Sequence, residues 1–268
     1  MDFVYAIILG IIEGITEFLP ISSTGHLIIV GEFVQFPEPF RTTFDIVIQL
    51  GAILSVVFYF FDRLNPFSKL IDHQKKQEIY DIWKKTFVAL IPAILIGGLI
   101  GNKIQELLFN PTIVAIMLFV GGILLIILEK KKRNVKFSTV KELNMVNAFY
   151  IGLFQSLAMI PGTSRSAATI IGAMLLGSSR LLAAEFSFFL AIPTMFAASV
   201  YSLYKHGISF SDYEIMILLS GFFTAFLVAY FVIKVFMKFI SNNNFIPFGY
   251  YRIVLGIVVF VFIYLVKQ

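Results

Sequence analysis

The stretch Glu13-Gly14-Ile15-Thr16-Glu17-Phe18-Leu19-Pro20-Ile21-Ser22-Ser23-Thr24-Gly25-His26 puts two carboxylates and an imidazole inside a run apolar enough to enter a membrane. An ionisable side chain at the bilayer centre costs about 2.5–3.5 kcal/mol on insertion scales, so such groups are retained where they have a task. A second stretch, Gln155 to Thr169, repeats the pattern around Met159-Ile160-Pro161-Gly162-Thr163-Ser164-Arg165-Ser166 and adds a guanidinium. Each stretch contains Pro, Gly and clustered Ser/Thr, which interrupt a helix. Broken backbone at membrane depth survives only when buried in protein or lining a cavity. Both stretches therefore read as re-entrant helix–loop–helix hairpins that carry a polar site into the membrane.

Composition agrees. The chain of 268 residues is 59% hydrophobic and 14% charged, with a mean hydropathy of +0.90, whereas soluble domains run near about 25% charged. This is the composition of an all-α, polytopic integral membrane protein, and the 16% aromatic content, mostly Phe, suits lipid-facing and interfacial surfaces. The lack of cysteine excludes disulfides, thiol nucleophiles and cysteine metal sites. No charged segment precedes the first apolar run and no small-residue cleavage site follows it, so a removable signal peptide is not expected. The formal charge of +5 does not indicate a nucleic-acid partner, because the basic residues lie beside apolar spans, where membrane topology accounts for them.

Apolar segments fall at 3–19, 44–61, 87–101, 111–128, 146–160, 169–177, 184–204, 215–233 and 250–266. If 62–86, 129–145, 178–183 and 234–252 face the cytoplasm, that side holds 16 of the 21 Lys and Arg, as the positive-inside rule requires. The opposite side keeps Arg41, Lys103, Lys205 and Lys267, and Arg165 lies in the proposed site. Three crossings then follow each hairpin. Three is odd, so the second half is expected to lie upside down relative to the first. Internal similarity points the same way: Gly10-Ile11-Ile12-Glu13 parallels Gly152-Leu153-Phe154-Gln155 at an offset of 142. Pro20-Ile21-Ser22-Ser23 parallels Pro161-Gly162-Thr163-Ser164 at 141, and Phe44 with Phe186 returns to 142. The expectation is one transmembrane domain, 1–268, built from inverted repeats at 1–141 and 142–268, an arrangement that places binding sites at broken helices.

Glu13 and Glu17 are four apart and share a helix face. They stand in the last turns before Pro20, where the helix dipole disfavours negative charge. Such a pair calls for a counter-cation: a divalent metal, Arg165, or a shared proton. Mg²⁺ is commonly held by one or two carboxylates together with substrate phosphate oxygens, and the pair suits it. The plainer account is a protonated pair bonded to backbone. After each break, Ser and Thr open a new helix whose free N–H groups favour an anion, and Arg165 adds a bidentate fork for phosphate. Capping alone, with Arg165 neutralising Glu17, would leave His26 unexplained. His26 follows Ser23 by three residues, so the two share a face; it can donate a proton, accept one from a hydroxyl, or attack phosphorus. Gln49, Ser55, Glu185 and Ser187 are candidates either to line the same cavity or to glue helices together. His73 and His206 read as loop residues without a role.

At these positions the chain resembles the bacterial undecaprenyl-diphosphate phosphatase (bacitracin-resistance) family over essentially its whole length. The resemblance rests on Glu13 to His26 and on Pro161-Gly-Thr-Ser-Arg-Ser-Ala-Ala-Thr169, which match the family's glutamate-rich and PGxSRSxxT motifs. It implies hydrolysis of a polyprenyl diphosphate to the monophosphate, which regenerates the lipid carrier for cell-wall precursors and confers bacitracin resistance. It also implies a divalent cation (Mg²⁺, with Ca²⁺ the alternative), a bacterial plasma-membrane location and a site open to the outer leaflet. Carried over by residue, Glu13 and Glu17 become metal or acid–base carboxylates, and Ser23 the nucleophile or a phosphate ligand. His26 becomes the proton donor or rival nucleophile, and Arg165 the diphosphate clamp. Ser22, Thr24, Gly162, Thr163, Ser164, Ser166 and Thr169 become substrate-binding positions. The implied partners are the lipid diphosphate and the bilayer; oligomeric state is left open, a homodimer included. A secondary transporter or lipid-phosphate flippase is the alternative, since inverted repeats are a transporter architecture. The acid-phosphatase-like lipid phosphatases fit less well, because the next histidine after Ser164-Arg165 is as distant as His206.

Overall fold

A computed structural model describes residues 1–34, 36–38, 40–67, 72–108, 110–206 and 210–266. In chain order the helices are α1 (Asp2–Thr16), α2 (Ser23–Val30), α3 (Phe40–Tyr59), the single turn α4 (Phe61–Leu64), α5 (His73–Leu108) and α6 (Pro111–Lys130). There follow α7 (Met145–Ser156) with a short 3₁₀ turn at Leu157–Met159, α8 (Arg165–Leu175), α9 (Arg180–His206), α10 (Asp212–Asn242) and α11 (Ile246–Val266). Six of them (α3, α5, α6, α9, α10, α11) are long and apolar enough to cross a membrane. The pairs α1–α2 and α7–α8 are too short to cross and are the two hairpins expected from the sequence.

Helix starts follow local chemistry. Asn110 accepts from the Thr112 N–H with Pro111 in the first turn, Asn144 accepts from the Asn147 N–H, and Ser211 with Glu214 forms a reciprocal capping box. α5 is 36 residues long and begins at His73. The basic segment placed in a cytoplasmic loop is thus the helical extension of a span, because Gln, Lys and Glu are good helix formers that a hydropathy reading passes over. His73 opens α5 and His206 closes α9, so neither is a loop residue. Of the charges counted above, Lys69 and Lys267 lie outside the described residues.

α1 packs on α10 and α7 on α5; α3 packs on α10 and α9 on α5; α2 meets α11 and α8 meets α6; α3 and α9, and α6 and α11, pair with each other. Small residues make the closest approaches: a Cβ on Gly10 would stand 2.8 Å from the Gly221 carbonyl oxygen, and Gly152 lies against the Ala89 backbone of α5. The main core takes in hairpin two through Ala148, Ile151, Ile170, Ala173 and Met174, and reaches hairpin one at Phe18, edge-on to Phe188 of α9 at 5.3 Å between centroids. At the basic end, Glu129 takes a bidentate pair from Arg180 and also the Phe245 N–H, which ties α6 to the starts of α9 and α11.

Candidate active site

Glu17 caps α1 in right-handed conformation, its N–H reaching the Glu13 carbonyl at 3.0 Å, so both carboxylates lie on one face. Glu13 is fully buried; the Glu17 carboxyl lies close enough to share a proton with it, Asp45 is a second acidic neighbour, and neither Glu13 oxygen has a partner at ordinary hydrogen-bond geometry. The account of Glu13 as backbone-bonded finds no such bond here. Glu17 is fully engaged by contrast. Its Oε2 accepts from Ser23 Oγ at 2.9 Å, and its Oε1 accepts from Arg165 Nη2 at 3.1 Å. The Glu17 and Arg165 side chains are each only 11% exposed.

The backbone brings these three together in a specific way. Ser22 (φ 73°, ψ 103°) and Ser164 (φ 68°, ψ 118°) are the two non-glycine residues with positive φ among those described. A serine held there costs of order 1–3 kcal/mol, and it reverses the chain so that a new helix starts one residue later. Ser23 and Arg165 are therefore the first residues of α2 and α8, facing each other across Glu17. These helix-opening serines are 142 apart, the offset of Glu13–Gln155 and Phe44–Phe186, so the one-residue slip suggested by Pro20 and Pro161 is not present at this turn. First-turn N–H groups have no intrahelical partner, and two such ends converge here.

Hairpin two is held by its own hydroxyls. Ser164 accepts from the Ala167 N–H at 3.3 Å and pairs with Ser166 Oγ at 3.0 Å, while Ser166 bonds the Leu19 carbonyl at 2.8 Å, linking the hairpins. Thr169 bonds the Arg165 carbonyl and meets Ser187 Oγ at 2.6 Å. Arg165 Nη1 donates to the Ser187 carbonyl at 3.0 Å, and its Cζ lies 5.7 Å from the Phe18 ring centre. Arg165 Nε is buried without a partner on the same guanidinium edge as Nη2, leaving one arm of the fork uncommitted. Gly162 needs its φ of 86° and has no room for a side chain, since a Cβ would stand 2.6 Å from the Val114 carbonyl oxygen of α6. The Ser22 and Thr163 hydroxyls are buried without partners, and Thr24 is half-buried. Ser187 thus belongs to the site's surroundings. Ser55 bonds its own helix at Ala52, Glu185 pairs with Arg63 away from the hairpins, and Gln49 is half-buried on α3.

Two residues of α11 were missed from sequence. Arg252, counted among the cytoplasmic charges, is completely buried inside the protein. Its guanidinium donates to the carbonyls of Gly162 (3.1 Å), Thr163 (3.0 Å), Met117 (3.0 Å), Leu118 (3.3 Å) and Pro20 (3.4 Å), so it joins both hairpin loops to α6. Lys234, Lys238 and the Asn run at 242–244 made its surroundings look like a loop; α11 in fact begins at Ile246 and runs 21 residues, long enough to cross. Tyr251, the preceding residue, brings its hydroxyl to 2.7 Å from His26 Nε2, with the rings near-parallel at 13°. His26 Nδ1 lies 2.8 Å from the Ser22 carbonyl. One tyrosine among the aromatics Phe245, Phe248 and Tyr250 near a helix start gives no signal that would have singled it out.

The comparisons with known proteins cover the same ground. The family described as "Bacitracin resistance protein BacA" matches residues 6–258. "Undecaprenyl-diphosphatase 1" of Clostridioides difficile (strain 630) is 52% identical over 262 residues, 97% of this chain and 96% of that protein. "Undecaprenyl-diphosphatase" of Lachnoclostridium phytofermentans is 52% identical over 266 residues, 97% of each chain, and the Enterococcus faecalis (strain V583) protein of the same name is 48% identical over 258 residues, 94% of each. With a match of this extent running through both hairpins, the chain belongs to the bacitracin resistance protein BacA family.

Proposed function

We propose that the protein is a membrane-embedded phosphatase that hydrolyses undecaprenyl diphosphate, or a similar polyprenyl diphosphate, to the monophosphate and inorganic phosphate. It would thereby recycle the lipid carrier for peptidoglycan synthesis at the bacterial plasma membrane. One observation carries the reading: a serine hydroxyl bonded to a buried carboxylate whose other oxygen is held by an arginine, at two converging helix N-termini. In this reading Ser23 Oγ attacks the terminal phosphorus while its proton passes to Glu17 Oε2. The bond from phosphorus to the bridging oxygen breaks, and Glu17 returns the proton to the departing polyprenyl monophosphate. Water then cleaves the phosphoserine, releasing phosphate and restoring the hydroxyl. Arg165 offers its uncommitted Nε–H to the equatorial oxygens, where charge stabilisation dominates the barrier. Glu13, with two buried oxygens free of ordinary hydrogen bonds, would hold a hard divalent cation, which Glu17 would join only through the second lone pairs of oxygens already bonded to Ser23 and Arg165. Such an ion, when bound, neutralises diphosphate charge. Ser166 and Thr169 are wholly buried and spend their hydroxyls on the scaffold, and so position the loop.

Hairpin one is inserted from the side poor in Lys and Arg, which supports a site open to the outer leaflet. The inverted repeat belongs to the same proposal. It is supported by the matched backbone at Ser22 and Ser164, and by the pairings α1–α10, α3–α10 and α2–α11, whose counterparts under exchange of the halves are α7–α5, α9–α5 and α8–α6. The deciding experiment is phosphate release from a long-chain polyprenyl diphosphate by purified protein in detergent with Mg²⁺, beside Glu17→Gln, Ser23→Ala and Arg165→Ala. The expected result is release by the parent and a loss of about a hundredfold or more in each variant, the usual consequence of removing a preorganised group. Retained binding of the lipid diphosphate with no release under any divalent cation would overturn the reading in favour of a lipid-phosphate transporter.

A further inference from the structure

The hydrogen bonds of His26 restrict what it can do. A carbonyl oxygen only accepts, so the 2.8 Å contact with the Ser22 carbonyl places a proton on Nδ1. Neutral His26 then keeps its lone pair on Nε2, where the Tyr251 hydroxyl donates to it at 2.7 Å; protonated His26 donates from Nε2 to the same phenol oxygen. The outer partner of an imidazole fixes its tautomer and aim, and here both ends are fixed. Ser23 bonds Glu17 and not His26, so the imidazole is not the base for that serine. Direct attack by His26 on phosphorus would need Tyr251 to leave Nε2 first.

Tyr251 is well placed for such a role. It is 46% exposed, and its contact with His26 Nε2 lies at the surface of the protein, not in the core. Its helix register is set by its neighbour: Arg252 is anchored on the Pro20, Gly162 and Thr163 carbonyls, which fixes α11 relative to both loops. We infer that Tyr251 couples His26 to the site: its hydroxyl holds Nε2 and relays a proton between that nitrogen and the phosphate-bearing ligand, the phenol O–H passing to the ligand as the His26 Nε2–H replaces it. This rests on the phosphatase reading above. Ring packing alone is the competing account, and the two separate cleanly, because Tyr251→Phe keeps the stacked rings at 5.6 Å and removes only the hydroxyl.

The test is steady-state hydrolysis of a polyprenyl diphosphate by detergent-purified Tyr251→Phe, His26→Ala and the double variant, with Ser23→Ala alongside. Tyr251→Phe is expected to lower kcat about tenfold, the low end for losing an outer hydrogen bond to a working imidazole, with KM within about twofold. In the His26→Ala background it is expected to add nothing. The chain has only three histidines, so ¹⁵N-histidine spectra can follow His26: Nδ1–H is expected in the parent, with the Nε2 resonance moving in Tyr251→Phe. Unchanged kcat in Tyr251→Phe, a loss that multiplies with that of His26→Ala, or an Nε2–H tautomer would each overturn the proposal. If Ser23→Ala and His26→Ala both hydrolyse at the parent rate, the phosphatase site itself is wrong. If both lose activity while Tyr251→Phe does not, only the role of Tyr251 is lost.

Discussion

At the scale of single residues, the site depends on side chains that the protein has left unsatisfied or strained. Ser22 is the sharpest case. It is buried, holds φ at 73°, makes no side-chain hydrogen bond, and yet opens the helix that begins with Ser23. Asn or Gly would occupy that backbone at lower cost, so an explanation must be sought in the hydroxyl. Ser22→Gly separates the two contributions. Glycine removes a left-handed penalty of order 1 kcal/mol but adds unfolded-state entropy of about the same size, so the thermal midpoint in detergent is expected to change little or to rise. If kcat/KM falls about tenfold at unchanged stability, the hydroxyl meets the diphosphate; an unchanged kcat/KM removes Ser22 from the substrate-binding set. Arg165 follows the same logic in reverse: Ser187 and Glu17 are held by different guanidinium arms, which an ammonium could not reproduce.

At the scale of elements, α11 is the part that sequence reading undervalued. The carboxylates, Ser23 and Arg165 were legible because charge and broken backbone inside apolar runs are costly and therefore informative. Arg252 was not, because a basic residue close to Lys234, Lys238 and three asparagines looks like loop composition until its burial is seen. Tyr251 was invisible for a different reason: its partner is 225 residues away, and pairing at that distance leaves no local pattern. The hairpins themselves were readable, but their register was not, since only the φ angles at Ser22 and Ser164 reveal which residues start the helices. Arg252→Met tests the importance of α11. The Met117 and Leu118 carbonyls keep their intrahelical partners, but those of Pro20, Gly162 and Thr163 would be left in an apolar interior at about 1–3 kcal/mol each. The expected outcome is a loss of at least about 3 kcal/mol in unfolding stability, with a larger relative loss of activity, because both loops are released together. A midpoint within a degree of the parent's would show that these carbonyls find other donors and that α11 is not the clamp.

At the scale of the whole molecule, the proposed inverted repeat has the two hairpins entering from opposite sides, and that demands opposite orientations for the two halves. The helix order fixes the sides relative to one another. With each of the six long helices crossing once, the turns near Asn65, Lys132 and Asn243 share one face, while Glu38, Asn110 and Ser211 share the other. The first face carries most of the Lys and Arg, with Arg252 now removed from it to the interior, and the asymmetry survives that correction. The chain has no cysteine, so single substitutions at these six positions need no prior removal of native thiols. With a membrane-impermeant maleimide on intact cells whose outer barrier is permeabilised, Glu38→Cys, Asn110→Cys and Ser211→Cys are expected to react. Asn65→Cys, Lys132→Cys and Asn243→Cys are expected to react only once the plasma membrane is opened. The Glu38 and Ser211 results matter most together, because they bracket the two halves on the face where hairpin one is inserted. Labelling of Glu38→Cys from outside with protection of Ser211→Cys would break the inverted arrangement. The reverse labelling of all six would keep the fold but turn the Ser23–Glu17–Arg165 site towards the cytoplasm, against the proposed opening to the outer leaflet.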